Sequence, residues 1–428
     1  MFIHIIKKGD TIGKIAYQYG VSPQRILEDN GLLNANDLVI GQALIILIPE
    51  IIYTVQPGDT LTSIAAQYNT TIMALIQNNP SLITNQTLFI GQQLVISYKW
   101  EKARNIITNG YAYPNIDKEV LMKALPYLTM VTIFGYGFTE SGELITIDDQ
   151  PIIDLALQFK VAPIMLLSSI SETGKFSSER ASYLFGNVKA QDALINKIIA
   201  KMKEKRYYGL DVDFEYIKPE DREGYLNFLR NITEKLNAEG FIVNVDLAPK
   251  ISATQKGLLY EGHDYAQIGA IANTVLIMTY EWGYTYGPPM TVAPLNNVRQ
   301  VVNYAVSEIP NYKILMGIPN YGYDWTLPYE RGTSKATSVG NEQAIQLAAQ
   351  YGVEIQFDDT AQSPYFNYFS SDKKEHVVWF EDVRSIMAKF NLITEYTLLG
   401  ASYWNIMRPF SQNWALLNTM FQITKFIN

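Results

Sequence analysis

Eight short apolar runs, separated by helical stretches, constrain the fold of residues 105–428 more than any other feature of the chain. The runs cover residues 106–111, 130–136, 162–168, 209–215, 242–247, 274–280, 313–318 and 400–404. Strands that alternate with helices indicate βα units around a parallel sheet. Eight such units predict an α/β fold, the closed (β/α)8 or TIM barrel, with its functional side chains at the carboxyl ends of the strands. The segment at about 323–378 is too long for a βα loop and predicts a small α+β insertion.

The fourth apolar run carries acids at alternate positions: Asp211, Asp213 and Glu215, with Val212 and Phe214 between them. Because side chains of a strand alternate between faces, the acids share one face. Neighbours on one face lie ~6.5 Å apart, which gives roughly 2.5 kcal/mol of repulsion per ionised pair, or about two pKa units. At least one acid should therefore keep its proton near neutral pH. A protonated carboxylic acid beside an ionised one suits acid-catalysed cleavage of a glycosidic bond.

Three structural interpretations of the acidic run compete with catalysis. A solvated edge strand would need polar residues on its other face, where Val212 and Phe214 are apolar. A divalent-cation site could use the alternating carboxylates as oxygen ligands. Buried acids could also pair with Arg or Lys for structure alone.

The composition argues against several other classes of protein. The chain has 428 residues, a formal net charge of −8 and no basic stripe, so we expect no nucleic-acid partner. Cysteine is absent and the three histidines, His4, His263 and His376, are far apart, so we expect neither a metal nor a cofactor. The longest apolar run, 38–48, is too short to span a bilayer. No export signal is visible at the N-terminus, and we expect a monomer.

An internal repeat fills the first 97 residues. At an offset of 49 residues it aligns Gly9, Asp10 and Thr11 with Gly58, Asp59 and Thr60. A later Ile-Gly-Gln recurs at 40–42 and 90–92. Each unit predicts a small βααβ domain, over residues 2–49 and 51–97. Residues 98–104 are expected to be a short linker, so that the barrel should fold without the repeats.

The repeats resemble LysM modules, which bind glycans that contain N-acetylglucosamine, such as peptidoglycan and chitin. The resemblance implies a glycan groove along Gly9, Asp10 and Thr11 in the first module and along Gly58, Asp59 and Thr60 in the second. Spacer or protein-binding domains are the structural alternative.

The acidic run resembles the D-x-x-D-x-D-x-E signature of glycoside hydrolase family 18, the chitinase-like enzymes, with Tyr208 in place of the first Asp. The resemblance implies that Glu215 is the general acid and base. Asp213 would orient and stabilise the substrate's own N-acetyl group as it attacks the anomeric carbon. Asp211 would share the charge of Asp213, and Tyr208 would lie with the substrate-binding residues.

Two further segments resemble this family. Residues 278–281 resemble its M-x-Y-D motif, which implies that Tyr280 hydrogen-bonds the acetamide carbonyl and that Glu281, in place of the Asp, contacts substrate. Trp404 resembles the tryptophan that floors the position of the reacting sugar. Both aromatic residues could instead be ordinary barrel packing.

The order of domains resembles that of the cortex-lytic enzymes of spore-forming bacilli. This implies a peptidoglycan hydrolase of N-acetylglucosaminidase type that acts on spore cortex and its fragments during germination. It also implies deposition at the boundary of spore coat and cortex, without a signal peptide. A LysM chitinase and a catalytically inactive glycan-binding lectin are the alternatives.

Overall fold

The computed structural model describes residues 1–170 and 176–427. Each N-terminal repeat is built on a two-stranded antiparallel sheet with helices packed against it. The first repeat consists of β1 (Phe2–Ile5), α1 (Ile12–Tyr19), α2 (Pro23–Asn30) and β2 (Ala43–Ile46). The second consists of β3 (Pro49–Thr54), α3 (Leu61–Gln67), α4 (Ile72–Asn78), α5 (Ser81–Thr84) and β4 (Gln93–Tyr98). The βααβ prediction is confirmed, and the second repeat has the four-residue helix α5 in addition.

A closed barrel of eight parallel strands follows the repeats, as the sequence predicts. The strands in this part are β5 (Arg104–Ala112), β6 (Met130–Phe138), β7 (Leu144–Ile145), β8 (Ala162–Ser168), β9 (Gly209–Asp213), β10 (Ile242–Leu247), β11 (Thr274–Ile277) and β12 (Ile314–Pro319). Strands β13 to β17 form an insertion that is described below. The last two strands of the chain are β18 (Gly400–Trp404) and β19 (Phe421–Ile423). β18 pairs with both β12 and β5, which closes the barrel. β7 and β19 extend the sheet outside it.

Helices cover the outside of the barrel. They are α6 (Lys118–Ala124), α7 (Gln150–Gln158), α8 (Ser178–Gly186), α9 (Val188–Lys205), α10 (Arg222–Ala238), α11 (Tyr265–Ile271) and α12 (Leu295–Glu308), followed after the insertion by α14 (Val383–Glu395) and α15 (Ser411–Met420). In α10 the residues at helical spacing, Tyr225, Phe228, Leu229, Ile232 and Leu236, are all fully buried. Across the part of the chain that the structure describes, no helix is long and apolar enough to cross a membrane.

The insertion forms a five-stranded antiparallel sheet with one helix. Its elements are β13 (Gly322–Thr326), β14 (Thr337–Val339), α13 (Asn341–Tyr351), β15 (Gln356–Asp358), β16 (Ser363–Phe369) and β17 (Glu375–Trp379). The strand order is β14-β13-β17-β16-β15. β13 follows β12 after two residues, so the sheet stands directly above the carboxyl end of the barrel.

Two barrel strands end earlier than the sequence predicts. We expected strands over 209–215 and 274–280, but β9 ends at Asp213 and β11 ends at Ile277. Beyond Asp213 the backbone carbonyls bind side chains instead of a neighbouring strand, because Ser168 donates to the carbonyl of Asp213 at 2.7 Å. Glu215 therefore lies in the loop after β9 and not at its last position.

The repeats pack directly on the barrel, mainly on α15. The Gln412 side chain donates to Asn30 Oδ1 at 3.0 Å and to the carbonyl of Ala43 at 2.7 Å, and all three residues are buried. In the second repeat, Gln77 Nε2 donates to the carbonyl of Pro126 at 2.7 Å. Apolar residues of both repeats belong to the same core cluster as the barrel. Residues 98–104 therefore connect two packed parts rather than two independent ones.

This packing changes the expected behaviour of a fragment that starts at Lys102. Removing residues 1–101 exposes buried aromatic residues such as Trp414 and Tyr127, whose rings stack at 5.7 Å. Exposing one large apolar side chain costs about 1.5–3 kcal/mol, so we expect the fragment to unfold at a clearly lower temperature than the barrel in the full chain. Differential scanning calorimetry measures this. An unchanged unfolding temperature would show that the interface adds no stability.

Candidate active site

One cavity of about 620 Å³ opens at the carboxyl ends of the barrel strands. Its lining includes five of the residues that the sequence singles out: Asp213, Glu215, Tyr280, Glu281 and Trp404. They come from the ends of β9, β11 and β18, which are separated by long stretches of sequence and meet only because the barrel closes. We call this space the carboxylate cavity.

The loop that carries Glu215 is held by a buried histidine. His263 Nδ1 accepts from the backbone N–H of Ala248 at 2.9 Å, so Nε2 carries the proton and donates to the carbonyl of Phe214 at 3.0 Å. Burial lowers the pKa of His263 to about 4, so the ring is neutral at pH 7. This bond fixes the orientation of the peptide group that joins Phe214 to Glu215. The histidine is a positioning residue that the sequence analysis did not assign to the site.

A buried network lies at the floor of the cavity, where Asp246 also contributes to the lining. The Tyr111 oxygen is 2.5 Å from Asp211 Oδ2 and 2.8 Å from Asp246 Oδ1, and Asn244 Nδ2 donates to Asp211 Oδ1 at 2.7 Å. A tyrosine has a single proton to donate, so one of the two carboxyl groups must donate its own proton to the tyrosine oxygen or to the other carboxylate. Burial raises the pKa of both acids, most strongly that of Asp246. The pair therefore holds at least one proton near neutral pH.

Asp213 lies between this network and the cavity. Its side chain is buried, and Oδ1 has no hydrogen-bond partner among the described residues. Burial raises its pKa well above the ordinary range, and the charges of Glu215 and Asp211 raise it further. A buried carboxylate oxygen without a partner is costly unless a ligand supplies a donor.

Glu215 has the electrostatic properties of a general acid. Burial raises its pKa to about 7, and the negative charge of Glu281 adds to the shift. A pKa near the working pH lets one carboxyl group donate a proton and then take one back.

Glu281 stands at the border between barrel and insertion. It has a positive φ of 66° and accepts hydrogen bonds from Tyr321 and, at 3.2 Å, from Tyr323 of β13. Burial raises its pKa. The insertion thus helps to position an acid that faces Glu215 across the cavity.

Substituting Glu281 by Gln should shift the pH profile. The Glu281 charge raises the pKa of Glu215, so its removal lowers that pKa. A general acid must be protonated, and activity is therefore lost as pH rises through its pKa. We expect the alkaline limb of kcat/KM to move to lower pH in Glu281→Gln. Glu220→Gln, which removes an exposed acid that does not line the cavity, is the control and should leave the limb close to wild type. An unmoved limb in Glu281→Gln would contradict the coupling.

Trp404 closes one side of the cavity at the end of β18. Its ring contacts Tyr111, Phe134 and Tyr113, with centroids 5.5, 5.6 and 6.1 Å apart. The residue is only partly buried and lines the cavity, so part of this aromatic cluster is open to it. Sugar rings stack on such surfaces.

The prediction that Tyr208 lies with the substrate-binding residues is wrong. The ring of Tyr208 stacks on Phe426 at 5.2 Å, where the C-terminal tail covers the amino end of the barrel. Tyr208 precedes β9, whereas Glu215 follows it, so the two lie at opposite ends of the strand. Tyr208 is three positions before Asp211, and an odd offset also puts the two side chains on opposite faces of a strand.

The Gly-Asp-Thr motifs of the repeats lie away from this cavity and have structural contacts of their own. Gly9 has a φ of 90°, Asp10 Oδ2 accepts from the backbone N–H of Lys7 at 2.8 Å, and Thr11 Oγ1 accepts from that of Lys14 at 3.2 Å. The second repeat makes the equivalent contacts at Gly58, Asp59 and Thr60. These bonds shape the turn and cap the helix that follows. A glycan contact at these residues stays a prediction.

The sequence analysis missed Asp246, Asn244, Tyr111 and Tyr113. The signal for the first two is visible, because Asn244 and Asp246 alternate with apolar residues in β10 as the acids do in β9. The two tyrosines stand in an ordinary aromatic context at the end of β5. Among the described residues no three His, Cys, Asp or Glu side chains are arranged to hold a metal ion.

Comparison with known proteins gives a consistent assignment. The model of glycosyl hydrolases family 18 matches residues 108–408, and the LysM domain model matches residues 4–47 and 53–97. The cortical fragment-lytic enzyme of Bacillus subtilis is 41% identical over 99% of this chain and 99% of its own length. The crystal structure of the spore cortex-lytic enzyme SleL of Bacillus megaterium has a TM-score of 0.84 at 39% identity, over 99% of both chains.

A chitinase from Chromobacterium violaceum is similar over the barrel. Its structure has a TM-score of 0.68 at 26% identity, and the match covers 73% of this chain and 98% of the chitinase. The match to the chitinase thus leaves out about a quarter of this chain, whereas the similarity to SleL covers 99% of it. The chain belongs to glycosyl hydrolases family 18 and carries two LysM domains.

Proposed function

We propose that this chain is a peptidoglycan hydrolase of N-acetylglucosaminidase type that acts on bacterial spore cortex and its fragments during germination. The observation that carries the proposal is the pairing of Asp213, whose buried Oδ1 lacks a partner, with Glu215, whose pKa is raised to about 7, in one cavity beside Trp404. Similarity to the cortical fragment-lytic enzyme and to SleL supports the choice of substrate.

In the first step Glu215 donates its proton to the glycosidic oxygen as the bond to the anomeric carbon breaks. The carbonyl oxygen of the sugar's own acetamide group forms the new bond to that carbon, which gives a cyclic oxazolinium ion. Asp213 accepts the acetamide N–H and stabilises the positive charge that develops. Tyr280 donates to the acetamide carbonyl and orients it. Electrostatic stabilisation of this kind is worth most in a buried site.

In the second step the ionised Glu215 takes a proton from water, and the water oxygen attacks the anomeric carbon. The bond to the acetamide oxygen breaks, and the acetamide is restored. Two displacements at one carbon retain its configuration. Asp211 and Asp246 share a proton beneath Asp213, which limits the negative charge that Asp213 must tolerate between steps.

Substrate-assisted catalysis requires an N-acetyl group on the sugar whose bond breaks. N-acetylmuramic acid also has one, but its lactyl group at O3 would crowd a cavity bounded by Trp404 and Tyr280. N-acetylglucosamine is therefore assigned to the reacting position. Its neighbours in peptidoglycan are then muramic acid residues.

The LysM modules hold the enzyme on insoluble glycan, and we place it at the boundary of spore coat and cortex, as a monomer. Two linked binding sites raise apparent affinity by about 10²- to 10⁴-fold over one. The Gly-Asp-Thr turns of both modules are the expected points of contact with glycan.

Digestion of purified spore cortex tests the proposal. Mass spectrometry of reduced products should show N-acetylglucosamine at the new reducing ends, and NMR of the initial product should show the β-anomer retained. New ends on muramic acid, or an inverted product, would overturn it. A parallel digest of chitin oligosaccharides decides against the chitinase alternative if cortex glycan is cleaved much faster. Absence of cleavage in both would leave a glycan-binding lectin.

A further inference from the structure

A second, smaller cavity of about 220 Å³ adjoins the carboxylate cavity. The two cavities share Glu281 and Trp404 in their walls, so they meet at the position assigned to the reacting sugar. The far wall of the smaller space carries Arg408, from the loop between β18 and α15, and Ser338 of β14. We call it the arginine cavity.

Arg408 is held in a fixed position by the insertion. Its Nη1 donates to Ser338 Oγ at 3.0 Å and its Nη2 donates to the carbonyl of Ser338 at 3.3 Å. Its stem passes Gly340, where a Cβ atom would lie only 3.2 Å from Arg408 Cδ. A guanidinium has five N–H donors, and these contacts use two of them. The rest of the fork remains available.

The charge of Arg408 is not matched by an acid of this chain. Across residues 1–170 and 176–427 no carboxylate lies within ion-pair distance of its guanidinium. Burial lowers its pKa, but arginine stays charged in proteins. Arg408 is the only cation among the described residues that line either cavity, although the lining includes Asp213, Glu215 and Glu281.

The surrounding acids indicate which substrate group the unpaired arginine could bind. A substrate with carboxyl groups is repelled by the carboxylate cavity and by a chain with a net charge of −8. One oxygen of Glu281, Oε1, is already occupied by hydrogen bonds from Tyr321 and Tyr323. A planar fork with free donors at the edge of this acidic surface matches a carboxylate in shape and charge.

We infer that the arginine cavity is a subsite for a carboxylate carried by the muramic acid residue next to the reacting N-acetylglucosamine. The inference rests on the proposed function and assigns Arg408 as the residue that distinguishes peptidoglycan from chitin. The carboxylate is either that of the lactyl group or that of a stem peptide attached to it. Chitin has neither, so it leaves the subsite empty.

Steady-state kinetics of Arg408→Gln on two soluble glycans tests the inference. One is a peptidoglycan tetrasaccharide with free lactyl carboxylates, and the other is a chitin tetrasaccharide. A charge-assisted hydrogen bond is typically worth about tenfold or more in affinity. We expect KM to rise about tenfold on the peptidoglycan glycan with little change in kcat, and KM on the chitin oligosaccharide to stay within about twofold. Arg408→Lys should restore part of the loss.

Two further arms separate the alternatives. Arg331→Gln removes an exposed arginine of the insertion that lines neither cavity, so it should behave like wild type on both glycans. If Arg408→Gln loses activity equally on both glycans, Arg408 is a structural brace and the inference is overturned. Two more substrates identify the source of the carboxylate. Wild type should bind a glycan with an amidated lactyl group less tightly if the lactyl carboxylate binds. It should bind a third glycan, whose lactyl group carries a stem peptide, better than the amidated glycan if a stem-peptide carboxylate binds instead.

The outcome for wild type distinguishes this inference from the proposed function. If wild type cleaves both glycans and Arg408→Gln affects them alike, only the subsite is wrong. If wild type cleaves chitin oligosaccharides alone, the proposed function fails and the subsite fails with it.

Discussion

Glu215→Gln should lower kcat on soluble peptidoglycan glycans by about 10²- to 10⁴-fold, the usual contribution of a general acid. The amide has nearly the shape of the carboxyl group but cannot donate a proton of suitable acidity to the glycosidic oxygen. It also removes the group whose pKa of about 7 sets the alkaline limb of activity. Steady-state rates from reducing-end release give the measurement.

The matched control is Glu220→Gln, an exposed acid in the same loop after β9. It should keep the activity of the wild type. Circular dichroism and retention on cortex sacculi should be unchanged in both variants. Turnover near the wild-type rate in folded Glu215→Gln would exclude Glu215 as the acid.

Asp213→Asn should have a comparable effect through a different step. The side chain keeps its shape, but it loses the charge that stabilises the acetamide as the oxazolinium ion forms. The positive charge on the acetamide grows toward the transition state, so the loss acts mainly there. We therefore expect kcat to fall by about 10²- to 10³-fold while KM changes little. The buried, unpartnered Oδ1 of Asp213 is the structural reason for assigning it this role.

A substrate whose reacting sugar lacks the acetyl group provides the companion experiment. Wild type should bind it without cleaving it, since the nucleophile is gone. The effects of the missing acetyl group and of Asp213→Asn should then not multiply. A loss of affinity alone in Asp213→Asn would make Asp213 a binding residue and exclude the assigned step.

The sequence predicts the barrel well because the patterns that indicate its strands are local in the chain. Apolar runs, their spacing and the alternation of acids in β9 depend only on neighbours in the chain. The end of β9 is less predictable, since the backbone there leaves the sheet for side-chain partners, Ser168 and His263, which come from another strand and a loop.

The buried network illustrates a second limit. Asp211 and Asp246 are 35 positions apart, and their shared proton follows from the packing of β10 beside β9 and of Tyr111 beneath both. Spacing along one strand cannot report such a contact. The misplacement of Tyr208 has a simpler cause: a motif was extended toward the wrong end of the strand, where the C-terminal Phe426 covers the barrel.

The docking of the repeats was not predictable either, because it depends on complementary surfaces far apart in sequence. Gln412 on α15 reaches Asn30, and the backbone of Ile355 in the insertion donates to the carbonyl of Ile40 at 2.9 Å. A short polar connector at 98–104 gave no sign of these bonds.

The same docking fixes the distance between the LysM modules and the active site. Modules on a flexible tether would let the barrel search a wide area while they stay bound, whereas modules packed on α15 keep a constant offset between the place that is held and the place that is cut. Once the glycosidic bonds within reach of the active site are hydrolysed, the modules must dissociate from the glycan before the enzyme can hydrolyse bonds elsewhere. Release of the modules, and not bond cleavage, should then limit the speed at which an intact sacculus is dismantled.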